Sequence, residues 1–231
     1  MNKYQVPPFS PSPFLALSII GLVLIPIMIM QPNLGGEQLD GQRILIGALF
    51  SAVCVFGVVA VFYPASCRSV FRHDPGLPTR AKTPSSDVRI VGHHPSCKNF
   101  SGNRIAVGGR VFCAACSGLL VGATLALIGG FVYFFFGFNF NWDSMWPVYL
   151  GEICMLAGLA QFRVAGVLKL TLNAVFVIGS FVTLAGVDAV RKSLYLDLYV
   201  LGLILFFLWF RISLSEWNNR RICRDCQLCS Y

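Results

Sequence analysis

Histidines and cysteines fall close together between positions 93 and 116. His93-His94-Pro95-Ser96-Cys97 is followed, after fifteen residues, by Cys113 and Cys116 in a C-x-x-C. Two cysteines three apart at a turn or helix start converge on one ion, and a second knuckle carrying His and Cys completes a tetrahedron. The pattern predicts a zinc site made by Cys97, Cys113, Cys116 and one of His93 and His94. The same C-x-x-C at a helix N-terminus is also suited to dithiol chemistry, because the helix dipole lowers the thiol pKa. A second group lies at 223–229, where Cys223, Cys226 and Cys229 are spaced C-x-x-C-x-x-C. Three thiolates at that spacing suit a zinc knuckle lacking one ligand, or three corners of a [4Fe-4S] cluster. Cys67 is the expected fourth ligand, with His73 second, so the tail is expected to fold back toward the segment that begins at Cys67.

These groups need elements to position them. Residues 103–107 read as a short strand, Gly108-Gly109 as a turn and 110–112 as the return, a hairpin too small to hold itself by burial. The rest is strongly apolar: of 231 residues 56% are hydrophobic and 12% charged, and the mean hydropathy is +0.69. That composition excludes an ordinary soluble domain. About 20 apolar residues span a bilayer as a helix, and six stretches qualify or nearly so: 14–30, 44–63, 111–136, 146–161, 164–187 and 194–212. The fourth is short and contains Glu152. The first is read as a retained helix, since Lys3 is the one charge before it and no small-x-small cleavage site follows. The expected fold is therefore an all-α integral membrane protein of about six transmembrane helices, divided as 1–63 (N-terminal segment and helices 1–2), 64–110 (linker and Cys/His hairpin), 111–212 (helices 3–6) and 213–231 (Cys-rich tail). The Pro- and Ser-rich stretch before the hairpin reads as a linker.

Lysines and arginines set the orientation, because short cytoplasmic loops carry the excess. With six spans, Arg43, Arg191 and Lys192 fall on one side and the other fifteen on the side of both termini. Both termini are expected in the cytoplasm, in a multi-pass protein of the cell membrane. The net charge of +8 is then mainly a topology signal, and no nucleic-acid partner is expected, as no aromatic platform interleaves the charges. Cys67, Cys97, Cys113, Cys116, Cys223, Cys226, Cys229 and all three histidines share the cytoplasmic side, where disulfide frameworks are rare. Cys54 and Cys154 fall inside spans as small apolar packers. Glu152, Asp188 and Asp197 are placed in the exterior half, read as interfacial capping near helix ends rather than a cation path. Lys169 is expected to snorkel, and Gly118 and Gly122 to admit another helix closely.

Cys97, a basic segment with a glycine turn and then "FCAACSGLLVG" resemble the pattern of an uncharacterised prokaryotic family of predicted membrane proteins, with an upstream Cys before a C-x-x-C-[ST]-G helix start. The resemblance covers about thirty residues and implies a membrane protein with a cysteine motif and no assigned reaction. In that pattern a His often follows the upstream Cys; here Lys98 does, with His93 and His94 before it. Three function classes fit the residues. First in order is a non-catalytic subunit or docking scaffold of a membrane assembly, with cytosolic zinc sites and with partner subunits or a second copy of the chain as its contacts besides the lipid bilayer. Next is a redox protein using the C-x-x-C dithiol or an iron-sulfur centre in the tail. Last is a small transporter using Glu152 and Asp197.

Overall fold

The computed structural model describes residues 10–31, 41–62, 102–107, 110–138 and 144–224; at 104, 107, 110–111 and 219–224 the description is of the backbone alone. Six α-helices follow in chain order: α1 (Ser12–Met30), α2 (Gln42–Phe62), α3 (Ala114–Gly130), α4 (Trp146–Leu159), α5 (Gly166–Arg191) and α6 (Leu194–Arg224). A wider π-turn, Phe131–Phe135, continues α3, and a 3₁₀ turn, Ala160–Arg163, continues α4. Two short strands precede α3, β1 (Arg104–Val107) and β2 (Arg110–Cys113). They pair antiparallel in the register Arg104 with Cys113 and Val107 with Arg110.

The helices are apolar on nearly all faces, so no polar stripe marks an outside. Leu17, Ile20, Val23 and Met30 of α1, Phe56 of α2, Ile128 of α3 and Ile153 of α4 all point outward. Five helices are long and apolar enough to cross a membrane: Ser12–Met30, Gln42–Phe62, Ala114–Phe135, Gly166–Arg191 and Leu194–Asn218. The exception is α4, whose 14 residues reach about 21 Å at 1.5 Å per residue. Its 3₁₀ turn extends that toward the far end. The central element is α5, with 67% of its most apolar window buried, against 39% or less in the other four. It packs on both α3 and α4.

Contacts at the helix ends fix the chain's course. Phe14 at the start of α1 packs edge-on against Trp209 of α6 at 5.3 Å, and Gln161 after α4 meets Arg211 of α6. At the opposite end Arg191, closing α5, donates to the carbonyl oxygens of Ile29 at 2.6 Å and of Gln31, satisfying carbonyls left open where α1 stops. Gln42 at the start of α2 meets Asp197 at the start of α6. The chain thus runs end to end six times. The start of α1, the hairpin and the later turns of α6 share one end; the last turns of α1, α3 and α5 and the first turns of α2, α4 and α6 share the other.

Three boundaries differ by more than two residues from those read in the sequence. The third apolar stretch becomes helix only at Ala114, because Val111 and Phe112 are spent on strand pairing. The fifth helix runs past Val187 to Arg191. The last helix does not end at Ile212 but continues to Arg224. Apolarity ceases near Ile212, yet "SLSEWNNRRICR" contains no Gly or Pro to break a helix. The tail therefore does not leave the bundle as flexible chain at 213. Cys223 is carried on the helix about 16 Å along the axis from Ile212, which leaves only Cys226 and Cys229 of the tail group beyond it.

Candidate functional site

Strand pairing and helix initiation meet at Cys113. It is the last residue of β2 and the N-cap of α3, with an extended backbone at φ −76° and ψ 119°. Cys116 lies one turn on. Cys113 is buried, Cys116 half-buried, and neither is in a disulfide. The Cys116 thiol and the backbone N–H groups of Ala115 and Cys116, which open the helix, lie near enough to stabilise a Cys113 thiolate, although the Cys113 side chain makes no capping hydrogen bond. Cys113 is held down at about 6: the neighbouring Cys116 thiol is the largest cause, burial opposes it, and the backbone N–H groups and then the Lys169 ammonium assist.

Lys169 belongs to the second turn of α5 and is 8% exposed. Its Nζ donates to Oδ1 of Asn103, which directly precedes β1. The close approach of α3 and α5 depends on Gly118 and Gly122, the pair expected to admit a neighbour. A Cβ at Gly122 would come within 2.7 Å of the Ala174 carbonyl oxygen, and one at Gly118 within 2.9 Å of the Asn173 Cβ. One turn deeper, Asn173 Nδ2 donates to the Lys169 carbonyl at 2.6 Å, while its Oδ1 accepts from Arg211 Nη2 at 2.5 Å. The same Nη2 donates to Gln161 Oε1 at 3.0 Å, and the guanidinium lies over the Phe176 ring at 3.9 Å. Arg211 is 5% exposed and its Nε has no hydrogen-bond partner. Among the described residues neither Lys169 nor Arg211 pairs with a carboxylate.

The residues expected to be metal ligands divide sharply. Cys113 and Cys116 are brought together. Cys67, His93, His94, Cys97, Cys226 and Cys229 lie outside the described residues, and only the backbone of Cys223 is described. Among the described residues no group of three or more His, Cys, Asp or Glu converges as a metal site. Cys54 of α2 is buried and Cys154 of α4 half-buried, as small packing residues. The sequence reading missed Asn103, Asn173 and Arg211 as neighbours of the C-x-x-C, and it sent Lys169 toward solvent. Lys169 and Asn173 are four apart and so share a face, which is the available signal; that the face turns to α3 is not written locally.

A second polar group occupies the opposite end. Arg43 Nε lies 3.2 Å from Asp188 Oδ2, which also accepts from the Tyr133 hydroxyl at 2.8 Å. Asp197 accepts from Gln42 at 3.3 Å. Asp188 and Asp197 are 2% and 0% exposed, so they join α2, α3, α5 and α6 internally rather than cap helix ends toward solvent. Glu152 is buried on α4, apart from these pairs, with one carboxyl oxygen unpartnered. Compared with protein-family models, curated proteins and solved structures, the chain matches none.

Proposed function

We propose that the chain is a six-pass integral membrane protein with both ends in the cytosol, and that it works as a thiol–disulfide exchange protein through Cys113 and Cys116. Five long apolar helices, an apolar exterior and the lopsided distribution of lysine and arginine support the membrane assignment. The observation that carries the chemistry is the pairing of two free thiols, Cys113 and Cys116, at the start of α3, with the buried Lys169 ammonium near enough to lower the Cys113 thiol. A fixed positive charge stabilises a thiolate but repels a divalent cation, so it favours a free dithiol over a bound metal. The Cys113 thiolate attacks a substrate disulfide, forming a mixed disulfide and expelling one substrate thiolate. Cys116 then loses its proton and attacks the Cys113 sulfur, expelling the second thiolate. Two electrons pass to the substrate, and a Cys113–Cys116 disulfide is left. One helical turn places the two Cα atoms within the about 4.4–6.8 Å that a disulfide requires.

Equilibration of the purified chain in thiol–disulfide buffers, followed by alkylation and peptide mass measurement, tests this. A reversible Cys113–Cys116 disulfide with a potential between about −270 and −120 mV is expected. Failure to close that disulfide under mild oxidant, with one tightly held metal per chain, sinks it. The second reading keeps zinc on Cys97, Cys113, Cys116 and one of His93 and His94, in a scaffold subunit, with zinc or an iron-sulfur cluster at the tail. It is favoured by one observation: a hairpin of two four-residue strands leads directly into the C-x-x-C, and two strands alone are marginal in water. Elemental analysis and the visible spectrum distinguish these centres.

A further inference from the structure

Lys169 and Arg211 are two buried cations linked through Asn173, which donates to the Lys169 backbone carbonyl and accepts from Arg211, and among the described residues neither meets a carboxylate. Burying a charge without a partner costs several kcal/mol or more, and the neutral amides of Asn103, Asn173 and Gln161 orient these cations without neutralising them. Among the described residues no anionic side chain pairs with either. The guanidinium is held by its Nη2 and by the Phe176 face, while its Nε is unpartnered. Arginine presents a planar fork suited to an oxyanion. Asn173 lies beside Gly118, five residues along α3 from Cys113, so the Arg211 level is about 7.5 Å from the thiol along the axis. Cys116, one turn from Cys113, is half-buried.

We propose that Lys169 and Arg211 form an anion subsite beside Cys113 and Cys116, so that the disulfide or thiol exchanged there is a small molecule carrying an anionic oxygen group such as a carboxylate. The cations hold that group while its sulfur meets Cys113. This rests on the dithiol reading.

The test uses methanethiosulfonates of opposite charge on the full chain in detergent: the anionic sulfonatoethyl, the cationic trimethylammonioethyl and the neutral methyl reagent. Each rate is normalised to that with a free thiol in solution. A normalised anionic-to-cationic ratio of about 10 or more is expected, since a factor of ten corresponds to about 1.4 kcal/mol and partly buried charges at this range exceed that. Lys169→Met slows all three reagents by raising the thiol, so the ratio is the informative quantity; it should fall toward about 1. Arg211→Gln should lower it in part. Arg211→Lys, which keeps the charge, is the fallback if Arg211→Gln does not fold, and should retain the preference. A ratio near 1 in the native chain, or one unchanged in Lys169→Met, overturns the subsite while leaving the dithiol intact. Thiols that resist all three reagents until a mercurial releases zinc overturn the dithiol reading instead.

Discussion

Cys113 and Cys116 are alike in chemistry and opposite in setting. Cys113 sits where the first N–H groups of α3 have no carbonyl to bond, and the neighbouring Cys116 thiol and the field of Lys169 favour its thiolate. In the proposed exchange Cys113 is therefore the nucleophile and Cys116, inside the first turn, the resolving thiol. Because Cys113 is lowered to about 6, its alkylation by iodoacetamide should rise through about pH 6 and be nearly flat from pH 7 to 8.5, where an ordinary thiol near 8.5 is still climbing. Mass-resolved alkylation across pH measures this. In Cys116→Ala the neighbouring donor is gone, so the midpoint should move up while Cys113 still reacts. In Lys169→Met it should move up as well. A profile centred above pH 8 in the native chain would remove the activated thiol. The C-x-x-C, its helix start and the preceding hairpin were legible in the sequence because spacing and glycine placement are local. The roles of Lys169, Asn173 and Arg211 were not, because each depends on which face of α5 or α6 meets which neighbour.

The hairpin presents Cys113, α3 carries Cys116, and α5 carries Lys169, so the site depends on how closely α3 and α5 cross. Gly118 and Gly122 set that distance. A leucine at Gly122 must displace the backbone of Ala174, which has no soft end to yield. Overpacking at such a point costs about 1–3 kcal/mol, and the strain moves Lys169 from Cys113. Gly122→Leu should therefore lower the unfolding midpoint in mixed micelles and also shift the Cys113 alkylation profile upward. Loss of stability with an unchanged profile would show that the crossing does not tune the thiol. The length of α6 teaches a related point. Hydropathy reports the solvent a segment prefers, not where its backbone stops being helical, so the span ends near Ile212 in the sequence while the helix runs to Arg224. The short α4 has the converse character. Glu152 lowers its apolarity and its helix is brief, yet it is a full partner of α5: Gly151 and Gly158 bring it against Gly179 and Phe176.

At the scale of the whole molecule the polar residues gather at two ends, separated by an apolar middle of Phe50, Phe181, Leu184, Met155 and Ile204. At one end Arg43 pairs with Asp188, and Arg43→Met leaves that buried carboxylate without its cation. Breaking a buried pair costs on the order of 3 kcal/mol, tempered because Arg43 is 26% exposed. Arg43→Met with Asp188→Asn should recover part of the loss in the same micelle titration; an additive result would deny the coupling. The two-ended arrangement also fixes what a topology experiment must find. Ser144 is exposed at the start of the segment leading into α4, and Val148 packs against Gly186 near the end of α5, so Ser144 belongs to the Asp188 and Asp197 end. The hairpin and the outgoing turns of α6 belong to the other. Among the described residues Arg43, Arg191 and Lys192 lie at the first end and Arg104, Arg110, Arg163, Lys169 and Arg211 at the second, which by the charge rule is the end the proposed topology puts in the cytosol. An impermeant maleimide applied to intact cells should label Ser144→Cys, and should label Cys226 and Cys229 only after permeabilisation. The reverse pattern would place the C-x-x-C in an oxidising compartment, where Cys113 and Cys116 would be held as a disulfide and the Lys169 ammonium would have no thiolate to stabilise.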